Sequence, residues 1–249
     1  MEIPFEPVVF GYHINVHLVM EYLAFFVGFR YYVFLRKRGS DSISNSNRLS
    51  IILAAIVGAL VGSRIMGWLE HPVGLDVTGA GIIKVFNTKT IMGGLFGGLI
   101  GVELSKKMIG ETHSSGDLFT LPIILGILIG RIGCFLSGTN EFTYGKPTGL
   151  FLGMDLGDGL LRHPLALYEI VFLGLLFLFL KIHYNNHLQK DGALFKYFML
   201  SYFIFRFCME FLKPNDFFIW GLSSIQWLCI ICVIYYRKTI GALLQFKKP

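Results

Sequence analysis

Seven apolar runs of about twenty residues constrain the fold of this 249-residue chain more than any other feature. A bilayer core is about 30 Å thick and a helix rises about 1.5 Å per residue, so roughly 20 apolar residues cross it once. Backbone groups in lipid need partners within their own segment, and the runs lack the alternation of barrel strands. The chain is therefore expected to be an all-α, polytopic integral membrane protein with about seven transmembrane helices. To within a few residues, the expected spans are 13–35, 49–69, 91–109, 118–137, 165–183, 194–213 and 217–236.

Composition supports a membrane protein. The chain is 54% hydrophobic and 15% charged, with a mean hydropathy of +0.62, which is more apolar than a soluble domain of this length can bury. Its net charge of +6 comes from basic residues at the ends of apolar runs and not from one soluble face, so no nucleic-acid partner is expected.

The basic residues predict the orientation of the spans. If Arg36, Lys37, Arg38 and Arg48 face the cytoplasm, thirteen lysines and arginines fall on that side and five fall outside. We therefore expect the N-terminus outside and the C-terminus in the cytoplasm. Residues 1–249 would form a single transmembrane domain, with outer loops near 70–90 and 138–164.

The four cysteines lie in or beside apolar runs and are expected to be packing partners or free thiols. Cys229 and Cys232 form a CxxC pair, but no further ligands accompany it, so neither a metal site nor a cofactor is expected.

Three intramembrane arginines predict the functional site. Arg64, Arg131 and Arg206 lie in three outward-running spans, each within about eight residues of the outer end. A charged side chain at membrane depth costs at least a few kcal/mol and needs a partner, a water-filled cavity or a function. Structural ion pairs are one interpretation, because Arg206 and Glu210 are spaced i,i+4.

Ion pairing alone cannot neutralise all three arginines, because only two carboxylates, Glu169 and Glu210, are available to them within the spans. Guanidinium groups bind phosphate through a bidentate fork, so the excess predicts a site for an anionic phospholipid in the outer half of the bilayer.

Glycines recur at small-xxx-small spacing in the second and third spans, at 58–62 and 93–101. This spacing predicts that the two helices approach each other closely.

Four motifs, in one order, carry a family resemblance. They are GRIGCFLSG at 130–138 continuing to YGKPT at 144–148, VGSR at 61–64, RHPLALYE at 162–169 and RFCMEF at 206–211. From about Val16 to Tyr236 the chain resembles the bacterial prolipoprotein diacylglyceryl transferase family, whose signatures read GRIGNFxNGExYGxPT, G-x-R, RHPSQLYE and RFxxEF. Several independent motifs in order are stronger evidence than any one of them.

The resemblance implies a multi-pass enzyme of the bacterial plasma (inner) membrane. It would transfer the diacylglyceryl group of phosphatidylglycerol to the lipobox cysteine of a preprotein and release glycerol phosphate. Membrane lipid and the preprotein are thus the implied partners. Arg131 and Arg206 would hold the headgroup phosphate and leaving group with help from Arg64, and Glu210 and Gly145 fall in matching motifs. Tyr144, Tyr168 and Glu169 complete the expected substrate-binding residues.

Departures from the family pattern put the chemistry, more than the lipid binding, in question. Met92 stands where the family has a histidine proposed as catalytic, and methionine cannot take a proton. The expected replacement bases are His163, the first choice, then Glu141 and Glu169, with His17 as a fourth. Cys134 and Ser137 replace two asparagines, and Ala166 replaces a glutamine.

Three hypotheses follow. The first is diacylglyceryl transfer to a prolipoprotein or to another acceptor. The second is a divergent member that binds anionic phospholipid without this chemistry, which Met92 and Cys134 favour. The third, a secondary transporter, has less support because the sequence shows no inverted repeat and no paired broken helices.

Overall fold

The computed structural model describes residues 3–39, 43–70, 88–184, 192–215 and 218–239. Most of these residues are helical, as predicted, and lie in seven α-helices of twelve residues or more. Each helix overlaps one of the seven predicted spans. The helices are α1 (Val16–Arg38), α2 (Asn45–Glu70), α3 (Ile91–Ile109), α4 (Asp117–Ser137), α5 (Leu165–Tyr184), α6 (Ala193–Met209) and α7 (Ser224–Tyr235).

Four of the helices are long and apolar enough to cross a membrane: α1, α2, α4 and α5. Many of their apolar side chains are exposed, including Phe25, which is 78% exposed, and this suits contact with lipid tails. Helix α3 carries charged residues in its second half, α6 has 17 residues and α7 has 12. The prediction of spans is therefore confirmed for four helices by length and composition, and it stays a prediction for the other three.

Chain contacts divide the molecule into two compact units. The first comprises Met1–Ser40, Ser114–Phe198 and Phe211–Pro214. The second comprises Asp41–His113, Met199–Glu210 and Asn215–Pro249. The single domain over 1–249 remains a prediction.

In the first unit, α4 packs against both α1 and α5. Glycine lets α1 and α4 come close, because a Cβ added at Gly133 would lie 2.8 Å from the Met20 Cβ and 3.3 Å from the His17 Cα. Further along the same pair, the rings of Tyr32 and Phe119 stack with centroids 4.6 Å apart. Helix α4 is thus the central element of this unit.

The loop at 138–164, predicted as an outer loop, is more ordered than a bare connection. It begins with a 3₁₀ turn (Gly138–Asn140), and β3 (Met154–Asp155) pairs antiparallel with β4 (Leu161–Arg162). Another short hairpin, β1 (Val8–Val9) with β2 (Tyr12–His13), precedes α1. The other predicted outer loop, at 70–90, lies outside the described residues except at its ends.

In the second unit, α2 and α3 cross with their backbones in contact, as the glycine spacing predicts. A Cβ added at Gly97 would lie 2.9 Å from the Cα of Gly62 and still closer to the carbonyl oxygen of Gly58. Similar collisions would follow at Gly93 and Gly101. The crossing therefore depends on the absence of side chains.

We predict that Gly97→Ala lowers the free energy of unfolding by about 1–3 kcal/mol, because the new methyl group forces the two backbones apart. Chemical denaturation in detergent, followed by circular dichroism, measures the change. Gly98→Ala is the matched control, since its Cβ would meet nothing closer than 3.4 Å and alanine is the better helix former. Equal stabilities of the two variants would contradict the prediction.

Candidate active site

Arg131 on α4 forms a buried ion pair with Glu169 on α5. The Nε of Arg131 lies 2.8 Å from the Oε1 of Glu169, and the residues are 8% and 1% exposed. The Nη1 of Arg131 also donates to the Sγ of Cys134, one turn further along α4, at 3.6 Å. Glu169, predicted as a substrate-binding residue, therefore directly contacts the arginine predicted to hold phosphate.

Arg206 and Glu210 form a second buried pair, in the second unit. The Nη2 of Arg206 donates to Oε1 of Glu210 at 2.7 Å. The Oε2 of Glu210 accepts from the Nδ2 of Asn215 at 2.8 Å and from the Oγ of Ser223 at 3.4 Å. Ser223 is the N-cap of α7 and forms a reciprocal capping box with Gln226. Glu210 thus neutralises Arg206 and also fixes the start of α7.

Arg64 on α2 is held differently. Its Nη1 donates to the backbone oxygen of Thr88 at 2.7 Å, and its buried Nε has no hydrogen-bond partner within the described ranges. No ion pair joins Arg64 to a carboxylate in that part of the chain. The described contacts of Arg64 therefore leave a buried donor of its guanidinium without a protein acceptor.

Arg162, in the loop at 138–164, is held by Asp158. The Nε and Nη2 of Arg162 lie 2.7 and 2.6 Å from the Oδ2 of Asp158, and this hydrogen-bonded guanidinium holds the pKa of Asp158 below its usual value. The same guanidinium lies 4.9 Å above the ring of Tyr144 and donates to the backbone oxygen of Gly145 at 3.3 Å. Arg162 therefore positions the predicted substrate-binding segment.

Gly145 allows two backbone segments to meet. Its N–H donates to the carbonyl of His163 at 3.0 Å, and the N–H of His163 donates to the carbonyl of Lys146 at 3.1 Å. A Cβ at Gly145 would lie 2.8 Å from the carbonyl oxygen of His163. The absence of a side chain at Gly145 therefore permits this pairing.

His163, the first choice for the replacement base, lies beside Tyr168. Its Nδ1 is 3.3 Å from the Oη of Tyr168, and the two rings meet edge to face. Among the described residues no carboxylate forms an ion pair with His163. Tyr168, which was predicted to bind substrate, therefore contacts the predicted base instead. This contact was not predicted from the sequence.

Glu141 lies instead near His17 on α1. The Nε2 of His17 is 3.2 Å from the Oε1 of Glu21 and 3.9 Å from the Oε1 of Glu141. His17 is 9% exposed. His17 is the fourth of the expected bases, and its pairing with Glu21 was not predicted, although their i,i+4 spacing on one helix face indicates such a pair.

A small pocket of about 10 Å³ lies next to Cys134. Cys134 and Ala166 both line it, and they are two of the positions at which the chain departs from the family pattern. Tyr144, Gly138 and Pro164 are among the other lining residues. The pocket thus joins the buried thiol to the loop that carries the predicted substrate-binding segment.

Comparison with known proteins identifies the family. The model of the prolipoprotein diacylglyceryl transferase family matches residues 7–239. The chain belongs to this family. Sequence analysis had identified it correctly from the four motifs.

Relatives of similar length share about three residues in ten. A phosphatidylglycerol–prolipoprotein diacylglyceryl transferase from Finegoldia magna is 30% identical, over 96% of this chain and 93% of its own length. A protein of the same name from Wolbachia pipientis of Culex pipiens is 31% identical, over 89% of this chain and 89% of its own length. Another, from Campylobacter hominis, is 28% identical, over 92% of this chain and 88% of its own length. No solved structure matches the chain.

The position at which the resemblance predicts a histidine is occupied by a methionine. Met92, in the first turn of α3, is 2% exposed and packs as a core residue. Methionine cannot accept a proton, so the replacement bases expected from the sequence stay a prediction.

We predict that Glu169→Leu lowers the free energy of unfolding by about 3–5 kcal/mol, because it leaves the Arg131 guanidinium buried without its carboxylate. The double variant Arg131→Met with Glu169→Leu removes both charges and should recover most of the loss. Denaturation in detergent measures both. If the double variant is as unstable as the single one, the ion pair is not the cause.

Proposed function

We propose that this protein transfers the diacylglyceryl group of phosphatidylglycerol to the cysteine thiol of a prolipoprotein. The acceptor sulfur attacks the glycerol carbon that bears the phosphate ester. A carbon–sulfur bond forms, the carbon–oxygen bond breaks, and glycerol phosphate leaves with the bonding electron pair. The observation that carries the proposal is the family match over residues 7–239, within which both arginine–glutamate pairs are intact.

The departing phosphate needs cations placed in advance. Charge-assisted hydrogen bonds from guanidinium groups stabilise negative charge that develops in a transition state. Arg64 supports this role because its Nη1 is fixed by the carbonyl of Thr88 while its Nε has no partner among the described residues. A phosphate oxygen of the lipid would supply such a partner. Arg131 and Arg206 keep their positive charge when paired, and we assign them to the headgroup as well.

A second function is favoured by Met92. A family member with no proton acceptor at this position could bind the anionic phospholipid without catalysing the transfer, because lipid binding needs only the arginines. The two functions differ in their products. Transfer yields lipidated acceptor and glycerol phosphate together, whereas binding yields neither.

We further propose a multi-pass location in the bacterial plasma (inner) membrane, with seven spans, the N-terminus outside and the C-terminus in the cytoplasm. The asymmetry of basic residues supports this orientation. Apolar helices α3, α6 and α7 are short or partly charged, but each lies at one of the predicted spans.

In intact cells, we expect a cysteine at Leu160 to react with a membrane-impermeant maleimide and a cysteine at Thr112 to react only after permeabilisation. Both positions are exposed, and a Cys208→Ser background removes the exposed native thiol. Labelling of the Thr112 cysteine in unpermeabilised cells would exclude the proposed orientation.

The transfer itself is tested with purified protein, labelled phosphatidylglycerol and a lipobox peptide. We expect glycerol phosphate release and lipid on the peptide cysteine in equal amounts, and no product from a peptide with serine in place of that cysteine. Lipid binding without either product would favour the second function.

We predict that Arg64→Lys lowers kcat/KM for phosphatidylglycerol about ten- to a hundred-fold, because an ammonium retains the charge but loses the planar fork of donors. Arg30→Lys is the matched control, since Arg30 is an exposed residue of α1 outside the proposed site. Equal rates for the two variants would remove Arg64 from the phosphate site.

A further inference from the structure

Two hairpin turns, one in each unit, carry the same aromatic–glycine pair at their tips. Phe10 and Gly11 connect β1 to β2, and their φ angles are 50° and 83°. Trp220 and Gly221 form the second turn, and their φ angles are 51° and 79°. Both turns therefore have positive φ at both central residues, which is the backbone that a two-residue hairpin of type I′ requires.

The first position of each turn holds a residue that this backbone disfavours. Turns of this type prefer asparagine, aspartate or glycine, and a bulky residue with positive φ is an outlier. Within the described ranges, Phe10 and Trp220 are the two residues other than glycine that have positive φ. Phe10 is nevertheless 97% exposed, and Trp220 is 89% exposed. Burial within the chain therefore accounts for neither aromatic residue.

The first hairpin is apolar and leads directly into α1. Val9 and Tyr12, which flank the turn, are exposed like Phe10, and each strand has only two residues. A two-stranded hairpin with no covered face is marginally stable at best in water. The N–H of Ile14 donates to the carbonyl of Pro7 at 2.9 Å and closes the hairpin just before α1 begins. The hairpin is thus held at the N-terminal end of α1 with its apolar side chains uncovered.

The second hairpin is tied to the first turn of α7. The N–H groups of Ile219 and Leu222 each donate to the carbonyl of the other residue, at 2.8 and 3.1 Å. The indole Nε1 of Trp227, in α7, donates to the carbonyl of Ile219 at 2.9 Å. The rings of Trp227 and Trp220 meet edge to face with centroids 5.8 Å apart. The exposed ring of Trp220 is therefore held at the start of α7, and Phe218 beside it is exposed as well.

Each hairpin continues an apolar surface that suits contact with lipid. Helix α1 is long and apolar enough to cross a membrane, and Leu18, Val19 and Tyr22 in its first two turns are exposed. Helix α7 is a short apolar helix that exposes Ile231 and Ile234. Neither 7–12 nor 218–222 contains a charged residue. Aromatic side chains are enriched where helices enter the headgroup region, because their rings leave water while polar edges stay hydrated.

We infer that the two aromatic–glycine turns insert into the headgroup region of the bilayer and anchor the N-terminal ends of α1 and α7 there. With the orientation proposed above, this region belongs to the outer leaflet. The partner is the phospholipid surface, because each bare ring adjoins the end of an apolar helix and no charge accompanies it. Transfer of the ring from water into lipid offsets the strain of a bulky residue at positive φ. The inference does not depend on diacylglyceryl transfer.

The first test locates Trp220 in the bilayer. Full-length protein is labelled with fluorotryptophan and placed in nanodiscs of phosphatidylcholine and phosphatidylglycerol in equal parts. Fluorine NMR then reports the three tryptophans, and Trp220→Phe assigns the resonance of Trp220. We expect a lipid with a nitroxide near the top of its acyl chain to broaden this resonance beyond detection. A water-soluble gadolinium chelate should leave it sharp.

Two further variants complete this test. The added resonance in Phe10→Trp should respond as Trp220 does. Thr112→Trp is the matched control, since Thr112 is exposed between the polar residues Glu111 and His113, and its added resonance should be lost to gadolinium instead. Loss of the tip resonances to gadolinium would overturn the inference. Protection from gadolinium that begins only when a lipobox peptide is added would assign the tips to the acceptor protein, and it would overturn the lipid assignment as well.

The second test uses the direction of a substitution effect. Phe10→Asn supplies a residue that type I′ turns favour, so a hairpin in water would become more stable and its amides would exchange more slowly. A hairpin anchored in lipid loses its anchor instead, and we expect amide exchange over 8–14 in nanodiscs to become about tenfold faster. The peptide that contains β3 and β4 is the reference. Unchanged or slower exchange over 8–14 would overturn the inference, and Trp220→Asn tests the second hairpin in the same way over 218–222.

Discussion

A guanidinium buried in an apolar helix bundle must be neutralised, and the described structure is organised around that requirement. Desolvating a charge costs several kcal/mol, and the cost is offset only when a well-placed opposite charge and further hydrogen bonds accompany it. Arg131 meets Glu169 across two helices, and Arg206 meets Glu210 one turn away. The position of α5 beside α4 and the start of α7 both depend on these carboxylates.

The same pairs shape the chemistry. A guanidinium already aligned by a carboxylate presents its charge in a fixed direction, so little reorganisation is needed when a phosphate ester begins to leave. Arg131 also connects the phosphate chemistry to the thiol, because it donates to Cys134 as well as pairing with Glu169. The side chain proposed to hold the leaving group therefore also contacts the thiol of Cys134.

Local patterns in the sequence predicted much of this molecule. Apolar runs located the helices, the glycine spacing predicted the crossing of α2 and α3, and the i,i+4 spacing anticipated the pair of Arg206 and Glu210. Contacts between residues that are far apart in the sequence were not predicted. The contact of Arg131 with Glu169, and the close approach of Gly133 to His17, depend on how α4 packs between α1 and α5. No short-range pattern encodes that packing. The pairing of β3 with β4 was missed because each strand has two residues, too few for a periodic pattern.

The crossing of α2 and α3 has an evolutionary consequence. Any substitution at Gly58, Gly62 or Gly97 adds a side chain where two backbones already touch, so every substitution there should weaken the packing of α2 against α3. The lipid-facing residues of the same helices, such as Leu53 and Ile56, can exchange freely among large apolar types, because fluid acyl chains accommodate any of them. The helix pair therefore combines a seam that tolerates no side chain with an outer face that tolerates many. Sequence divergence within the second unit should accumulate on that outer face while the seam stays fixed.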